Sequence, residues 1–418
     1  MLSLLGNRIK RFRNTPQTFL LDNVGGASDQ FGYSVALSND GNTAIIGAPL
    51  DNDGANVDVG SVVVYSRNNG PWSQQAKLIG SSLVAPSRFG WSVGVSNDGN
   101  TMVVGALRDS PGGFTGAGSA YIFSRTGSTW TEQVKLNHPS PVTNGEFGIC
   151  VAISGNGLRV AIARKYVPSL SVESVRVYFY NGSSWVFEQE LTGPNDDDGR
   201  SVTIFGWSLA FNDDGSTLIV GAPGWDGGSG AGNDDTGAAI VYTRSGTTWS
   251  FQATLKDNTM SMSDNLGGSV ALSSDGNTAI CGAASQYSGS LIAGSATIFT
   301  RSGTTWSKLT KLTDSTGVSG DKFGYSVALS KDGKFALIGV PKDDVGAVSN
   351  QGSAIIYTLT TGGWQQGTRL TNSSGVSTGD EFGTSVALSN FGNVALIGAP
   401  YYDITFTDQG SATVFYRR

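Results

Sequence analysis

Few residues in this 418-residue chain have types and spacings suited to chemistry. The single histidine, His138, directly precedes Pro139, so neither a histidine-based triad nor a multi-histidine metal site can be assembled. No Gly-Lys-Ser/Thr phosphate loop is present. Paired carboxylates in a cleft would serve glycoside hydrolysis. An arginine cluster, with Arg108, Arg164 and Arg176 as the nearest candidates, would serve sialidase-like chemistry. Neither constellation can be read from the spacing, and the chain is expected not to be an enzyme, a glycan-active enzyme being the alternative. Two acidic stretches, Asp51-Asn52-Asp53-Gly54 with Asp58 and Asp196-Asp197-Asp198-Gly199, alternate oxygens as calcium loops do. Both lack the bidentate glutamate at position twelve. Asp51, Asp53, Asp58, Asp196 and Asp198 are therefore weak metal candidates, and the expectation is solvated loops and no cofactor. Cys150 and Cys281 fall on different strands of nonadjacent repeats and are expected to be buried free thiols.

The elements that would position any site follow from composition. Glycine supplies 59 of 418 residues and charged residues are 14%, well below the usual quarter or so. That balance disfavours long solvated helices and favours turn-rich β structure. A formal charge of −6 and a pI near 4.9 give no electrostatic reason to bind nucleic acid or an anionic membrane. Residues 1–17 form a basic segment with Arg8, Lys10, Arg11 and Arg13, read as a solvated tail or a docking arm. No run approaches the roughly 20 apolar residues of a membrane span. Met1-Leu2-Ser3-Leu4-Leu5 is too short for a signal-peptide core and its charges follow it, so Sec export is not expected. That leaves virion-associated, intracellular or non-classically exported locations.

Self-similarity organises the rest. Phe31-Gly32, Phe89-Gly90, Phe147-Gly148, Phe205-Gly206, Leu266-Gly267, Phe323-Gly324 and Phe382-Gly383 recur at spacings of 57 to 61. Sixteen residues after each anchor stands a small-residue element: Gly47-Ala48-Pro49, Gly105-Ala106-Leu107, Ala163-Arg164-Lys165, Gly221-Ala222-Pro223, Gly282-Ala283-Ala284, Gly339-Val340-Pro341 and Gly398-Ala399-Pro400. The first unit reads as four antiparallel strands, A to D: Tyr33 to Ser38, Thr43 to Gly47, Ser61 to Arg67 and Trp72 to Leu78, with Asp40-Gly41 marking the first hairpin. In strand D, Trp72, Gln74, Ala76 and Leu78 would share one face. Such sheets bury both faces only by stacking radially, so residues 18–418 are predicted to form one seven-bladed β-propeller. Six units carry a strand D tryptophan, at 72, 130, 185, 249, 306 and 364, but the seventh ends after strand C. Leu20 precedes Phe31 by the same eleven residues as Leu78 precedes Phe89. An N-terminal strand is therefore predicted to close the ring against the last blade, with Asn14 in the tryptophan slot.

The Phe-Gly and Gly-Ala-Pro elements resemble the FG-GAP repeat proteins, which are similar to the propeller of integrin α-subunits. The resemblance covers about Thr18 to Arg418. It implies a non-catalytic propeller for adhesion or protein recognition, often at a cell or particle surface. Calcium-binding members carry an Asp-rich A-to-B loop. Here those turns, such as Asn39-Asp40-Gly41 and Asn97-Asp98-Gly99, offer one or two carboxylates against the six to eight oxygens calcium takes.

Recognition of a protein or glycan is expected on the face carrying the B-to-C and D-to-A loops. The residue nineteen after each anchor varies as Leu50, Arg108, Tyr166, Gly224, Ser285, Lys342 and Tyr401. Trp91 and Trp207 fill the framework slot of Tyr33 and Tyr325, which leaves Trp225 as the one tryptophan outside the framework. Trp225 either stacks on a ligand or packs inward to pin its long loop. Its companions are Tyr401, Tyr402, Tyr166, Arg108, Arg164, Lys165 and Lys342. Unit three departs from the pattern at Gly155-Asn156-Gly157, Ala163-Arg164-Lys165 and Glu173-Ser174, marking relaxed or repurposed structure. The alternative function is a structural component of a large assembly, such as a virion or surface layer, with neighbouring subunits as partners.

Overall fold

A computed structural model describes residues 12–13, 18–68, 70–165, 173–197, 199, 203–227, 235–286, 292–372, 377–403 and 405–417. Among these, seven four-stranded antiparallel sheets make the blades of a β-propeller. Blade one runs Ser34–Leu37, Thr43–Ala48, Ser61–Ser66 and Ser73–Leu78, strands A to D in order. Each A strand lies against the A strands of both neighbouring blades, including Ser385–Leu388 of blade seven against Ser34–Leu37. The A strands are thus innermost.

The ring closes as the spacing predicts. Thr18–Leu20 is strand D of blade seven, with Thr18 opposite Val414, Phe19 opposite Thr413 and Leu20 opposite Ala412. The tryptophan slot is a correction. Phe12 bridges Arg417, as Trp130 pairs with Arg125 and Trp306 with Arg301, and it is buried against blades six and seven, while Asn14 lies outside the described residues. Thr368 adds a hydrogen bond to the Phe12 carbonyl at 2.9 Å.

Why the motif needs glycine is visible at every junction that retains it. A Cβ on Gly47 would lie 2.0 Å from the Gly90 carbonyl oxygen, and Gly90 itself sits at φ +90°. The junction between blades seven and one repeats this geometry, with a Gly398 Cβ 2.0 Å from the Gly32 oxygen. No larger residue fits so close a backbone approach. The preceding phenylalanines fill the space between sheets, with Phe31, Phe89, Phe147, Phe323 and Phe382 fully buried.

Strand D carries a second correction. A bulge in the C–D pairing of blade one sets Tyr65 opposite Gln74 but Val64 opposite Ala76, leaving Gln75 over. The extra residue reverses the alternation, so Trp72 packs toward blade seven while Ala76 and Leu78 pack toward blade two. The extra residue then works across blades. Gln75 accepts the Trp130 indole N–H at 3.0 Å, Glu188 accepts that of Trp249 at 2.9 Å, and Gln252 accepts that of Trp306 at 3.0 Å.

At the A-to-B end the axis is shut. Backbone hydrogen bonds of 2.7 to 3.1 Å run from turn to turn in a closed belt: Asn39 to Asn97, Asn97 to Gly155, Asn156 to Asp213, Asp213 to Ser274, Ser274 to Lys331, Lys331 to Asn390 and Asn390 to Asn39. Within it the Lys331 ammonium reaches Asp213 at 2.6 Å from two blades away, and Ser274 Oγ donates to the same carboxylate at 2.6 Å. Burial opposes ionisation of Asp213, but Lys331, Ser274 and the Asn97 amide outweigh it and hold the carboxyl below the usual range.

Blade three's departures have structural reasons. Gly155 leaves room for the plug, since a Cβ there would lie 2.4 Å from Asn97 Nδ2 and 2.5 Å from Asp213 Oδ1. Glu173 replaces the glycine that bridges adjacent blades elsewhere, and its carboxylate accepts the Phe205 N–H that a backbone carbonyl accepts in the other blades. Arg164 is buried beside His138, with Nη1 3.2 Å from Nδ1. Among the described residues no helix is long and apolar enough to cross a membrane.

Candidate functional site

The sequence-predicted loop residues are for the most part engaged in holding loops. Trp225 is 3% exposed and packs on Ala163, Val175, Phe205 and Ala238. Its carbonyl accepts the Gly237 N–H at 3.0 Å and the Thr236 hydroxyl at 3.2 Å, pinning its own loop. The reading of Trp225 as an exposed anchor gives way to inward packing. Tyr402 stands at the same place, twenty residues after its anchor, and is also buried, stacked on Phe19 with ring centroids 6.2 Å apart. In blades one, two and six that place holds Asp51, Asp109 and Asp343, each ion-paired with a basic residue of its own strand D, namely Lys77 at 2.6 Å, Lys135 at 2.7 Å and Arg369. The place is a lock between a B-to-C loop and strand D, built from an ion pair in some blades and from aromatic rings in blade seven.

The cations nineteen after the anchor staple blades together. Arg108 meets Glu146, the residue before the next blade's Phe147, at 2.9 Å, and Lys342 meets Glu381, the residue before Phe382. Lys165 is exposed and lies 3.4 Å from the same Glu146. Arg164 joins a buried network in which Glu190 accepts from Ser174 at 2.6 Å and Arg176 at 2.6 Å, and His138 Nε2 lies 3.4 Å from it. The His138 contact, with Ser174 and Arg176, holds the Glu190 carboxyl down at about 2 against the effect of burial. Tyr166 and Asp198 lie outside the described residues.

Among the described residues the acidic stretches do not converge as units. Asp53 is exposed and Asp58 half-buried. Asp51 instead meets Asp22 and Asp29 of the D-to-A loop, with oxygens of all three within 4.8 Å of one another. The Lys77 ammonium bridges Asp22 and Asp51 at 2.7 and 2.6 Å. Burial pushes the third carboxyl, Asp29, up to about 6. Asp196 is buried in its own loop. Both cysteines are unpaired, Cys281 buried and Cys150 half-buried, and desolvation raises the Cys150 thiol to about 12.

What the structure does bring together is a slot assigned to the framework. The residue two after each anchor stands at or just before the start of strand A, so these residues gather near the axis at the D-to-A and B-to-C end. Tyr33, Trp91, Ile149, Trp207, Gly268 and Tyr325 surround a hollow of about 600 Å³. Trp207 is 52% exposed and Tyr325 43%. The Tyr33 and Trp91 rings lie 4.5 Å apart at 42°, and Arg88 covers Trp91 at 5.7 Å. Burial pushes both phenols upward, so Tyr33 and Tyr325 stay neutral hydrogen-bonding groups at ordinary pH. The polar plug closes the far end of the axis, making this a cup and not a through-channel. In the sequence these rings look like packing residues, because Trp91 and Trp207 recur in the slot of Tyr33 and Tyr325. The available signal was their place immediately before the innermost strand.

Fold and motif together define the class: a β-propeller of FG-GAP repeats. The FG-GAP repeat signature matches residues 15–65, 72–123, 306–357 and 364–415, so the chain carries FG-GAP repeats in four places. Each match runs from a strand D, or the tryptophan opening it, into strand C of the next blade, so the offset that closes the ring is built into the repeat itself. The architecture is consistent with an integrin-α-like propeller. No curated protein matches the chain.

Proposed function

We propose that this is a non-catalytic recognition propeller, acting in adhesion at a cell or particle surface, which takes a protein or glycan ligand at the aromatic cup. One observation carries the reading: large rings stand half-exposed around a concave hollow although buried framework sites for aromatics abound in the same fold. Concave, ring-lined hollows of this size are where ligands dock. The described titratable clusters support a non-catalytic role, since Asp51, Asp109, Glu190 and Arg164 are all tied into buried ion pairs or hydrogen bonds away from the cup.

An array of immobilised glycans and purified surface proteins, probed with the full chain, tests it. The double variant Trp207→Ala/Tyr325→Ala should lose every feature the native chain binds. Phe391→Ala, at an exposed A-to-B turn on the opposite face, should keep them. Retention by the double variant would refute the cup as the site.

A second reading, a subunit of a large assembly, draws on the outer rim. Phe187, Phe251 and Leu309 lie exposed on the outermost strands of three consecutive blades, three to five, where a neighbouring subunit would cover them. Phe251→Glu should then abolish assembly seen by sedimentation, and a monomeric native chain at all concentrations would exclude it.

A further inference from the structure

Resting on the cup as the binding site, we infer that its ligand is a neutral saccharide and that Gly268 is the notch that seats it. Adjacent glycines of blade five make the contrast. Gly267 sits at φ +88°, and a Cβ on it would lie 2.2 Å from the Ala238 carbonyl oxygen, so the fold requires glycine there. Gly268 has no positive φ, and a Cβ on it would meet nothing nearer than the Asn265 carbonyl oxygen at 3.4 Å, an ordinary contact. The fold leaves room for a side chain at that point, and blades one, two, four and six place Tyr33, Trp91, Trp207 and Tyr325 in the same slot. Glycine at 268 therefore opens a gap in the ring of aromatics, flanked by Trp207 of blade four and Tyr325 of blade six.

The chemistry of the gap selects the ligand. Among the described residues lining the cup there is no Asp, Glu, Lys or Arg, and the two cations beside it, Arg88 and Lys322, already lie over the Trp91 and Tyr325 rings at 5.7 and 5.9 Å, so a charged group entering the notch would lose water for little return. Two small polar groups back the notch, Ser285 and Asn265. Asn265 donates through Nδ2 to the Pro223 carbonyl at 3.2 Å and the Asp235 carbonyl at 3.4 Å, which fixes the head group and leaves Oδ1 as an acceptor. A ligand with apolar C–H faces to lie on rings and hydroxyls to meet Asn265, Ser285 and the tyrosines fits this lining; that is a sugar. An extended peptide fits less well. Five backbone carbonyls near the cup each already accept a hydrogen bond: Ser34, Ser208, Ser269, Ser326 and Ser385 donate to the Gly90, Gly267, Gly324, Gly383 and Gly32 oxygens at 2.7 to 2.9 Å. Strand addition there would have to share acceptors already in use.

The test titrates the full chain with neutral gluco-, manno-, galacto-, xylo- and N-acetylglucosamine oligosaccharides, with sialylated and sulfated counterparts, and with a proline-rich peptide. Readouts are calorimetry and tryptophan emission. The expected result is saturable binding of at least one neutral oligosaccharide, with a blue shift of emission and no dependence on salt. Gly268→Trp should weaken it by at least about tenfold while the melting temperature holds, because blades two and four carry tryptophan in that slot. Trp207→Ala should weaken it comparably and Phe391→Ala not at all. Binding confined to acidic saccharides, binding indifferent to Gly268→Trp, or no saccharide binding would each overturn the inference. If saccharides fail while Gly268→Trp still abolishes capture of an array protein, the cup remains the recognition site and the saccharide class falls.

Discussion

Restoring the repeat's common residue at position 155 should destabilise this protein, against the usual rule that consensus substitutions stabilise. Blades one, two and seven carry Asn39, Asn97 and Asn390 at that point of the A-to-B turn, so Gly155→Asn is the consensus change. The Cβ it adds would lie 2.4 Å from Asn97 Nδ2, 2.5 Å from Asp213 Oδ1 and 2.8 Å from Asp213 Cα, all well inside ordinary contact. The last contact is with backbone that cannot swing away, because Asp213 N–H donates to Ser274 at 3.1 Å and its carbonyl accepts from Asn156 at 2.7 Å. Overpacking of this kind costs about 1–3 kcal/mol. Losing the Asn97 bond to a charged carboxylate adds about 1.5–3 kcal/mol if the plug moves to relieve the clash. A loss of about 3 kcal/mol in urea unfolding, followed by near-UV circular dichroism, is the expected outcome. Asp213→Ala removes the Oδ1 clash and the Asn97 bond together, so the double variant should show a coupling of about 1–3 kcal/mol relative to additivity. A Gly155→Asn protein as stable as the native one, or strictly additive with Asp213→Ala, would refute the plug as described.

Trp225→Ala should cost about 3–5 kcal/mol of stability through the cavity it leaves and spare ligand affinity; weakened binding with unchanged melting would restore Trp225 as a contact residue. Removing residues 1–22 takes away Leu20 and Phe12, each worth about 1.5–3 kcal/mol of burial, and bares strand C of blade seven, so melting should fall and aggregation rise; unaltered melting would argue against a closed ring. Asp29 holds its proton to about pH 6 when folded, against 3.8 for the free side chain, so the folded state binds the extra proton between those values. Its contribution to stability is complete below about pH 4 and lost as pH rises through 6, with a slope of at most about 1.4 kcal/mol per pH unit, and Asp29→Asn should flatten that part of the profile.

The seven anchors, the strand order and the closing strand were legible because each rests on a short-range backbone demand repeated at fixed spacing. Gly47 against Gly90 is the clearest case: the close approach admits one residue type, so the residue type betrays the approach. Strand D was read less well. Its bulge is set by pairing with strand C, and nothing in Ser73 to Leu78 taken alone shows that Gln75 has no opposite number. Phe12 was missed for a related reason: its place is set by the bridge to Arg417 after strand C, and nothing in the sequence around residue 12 marks that pairing.

In a closed ring a departure from the repeat does not by itself mark a site. Searching for departures from the repeat finds positions where one blade differs from its neighbours, and in this chain those are repairs: Glu173 supplying a lost acceptor, Gly155 clearing the plug, Trp225 substituting rings for an ion pair. A position on the symmetry axis is different, because all seven blades contribute to it at the same point of the repeat. The slot reads Tyr33, Trp91, Ile149, Trp207, Gly268, Tyr325 and Thr384, and the aromatics that recur in it look like core in the sequence. Exposure separates them: Trp207 is half in solvent while Trp225, the irregular one, is not. What breaks the degeneracy is the exception inside the regular slot. Gly268 stands between Trp207 and Tyr325 in that slot at a place where the backbone makes no demand for glycine, and the gap it leaves is the room the proposed ligand would occupy.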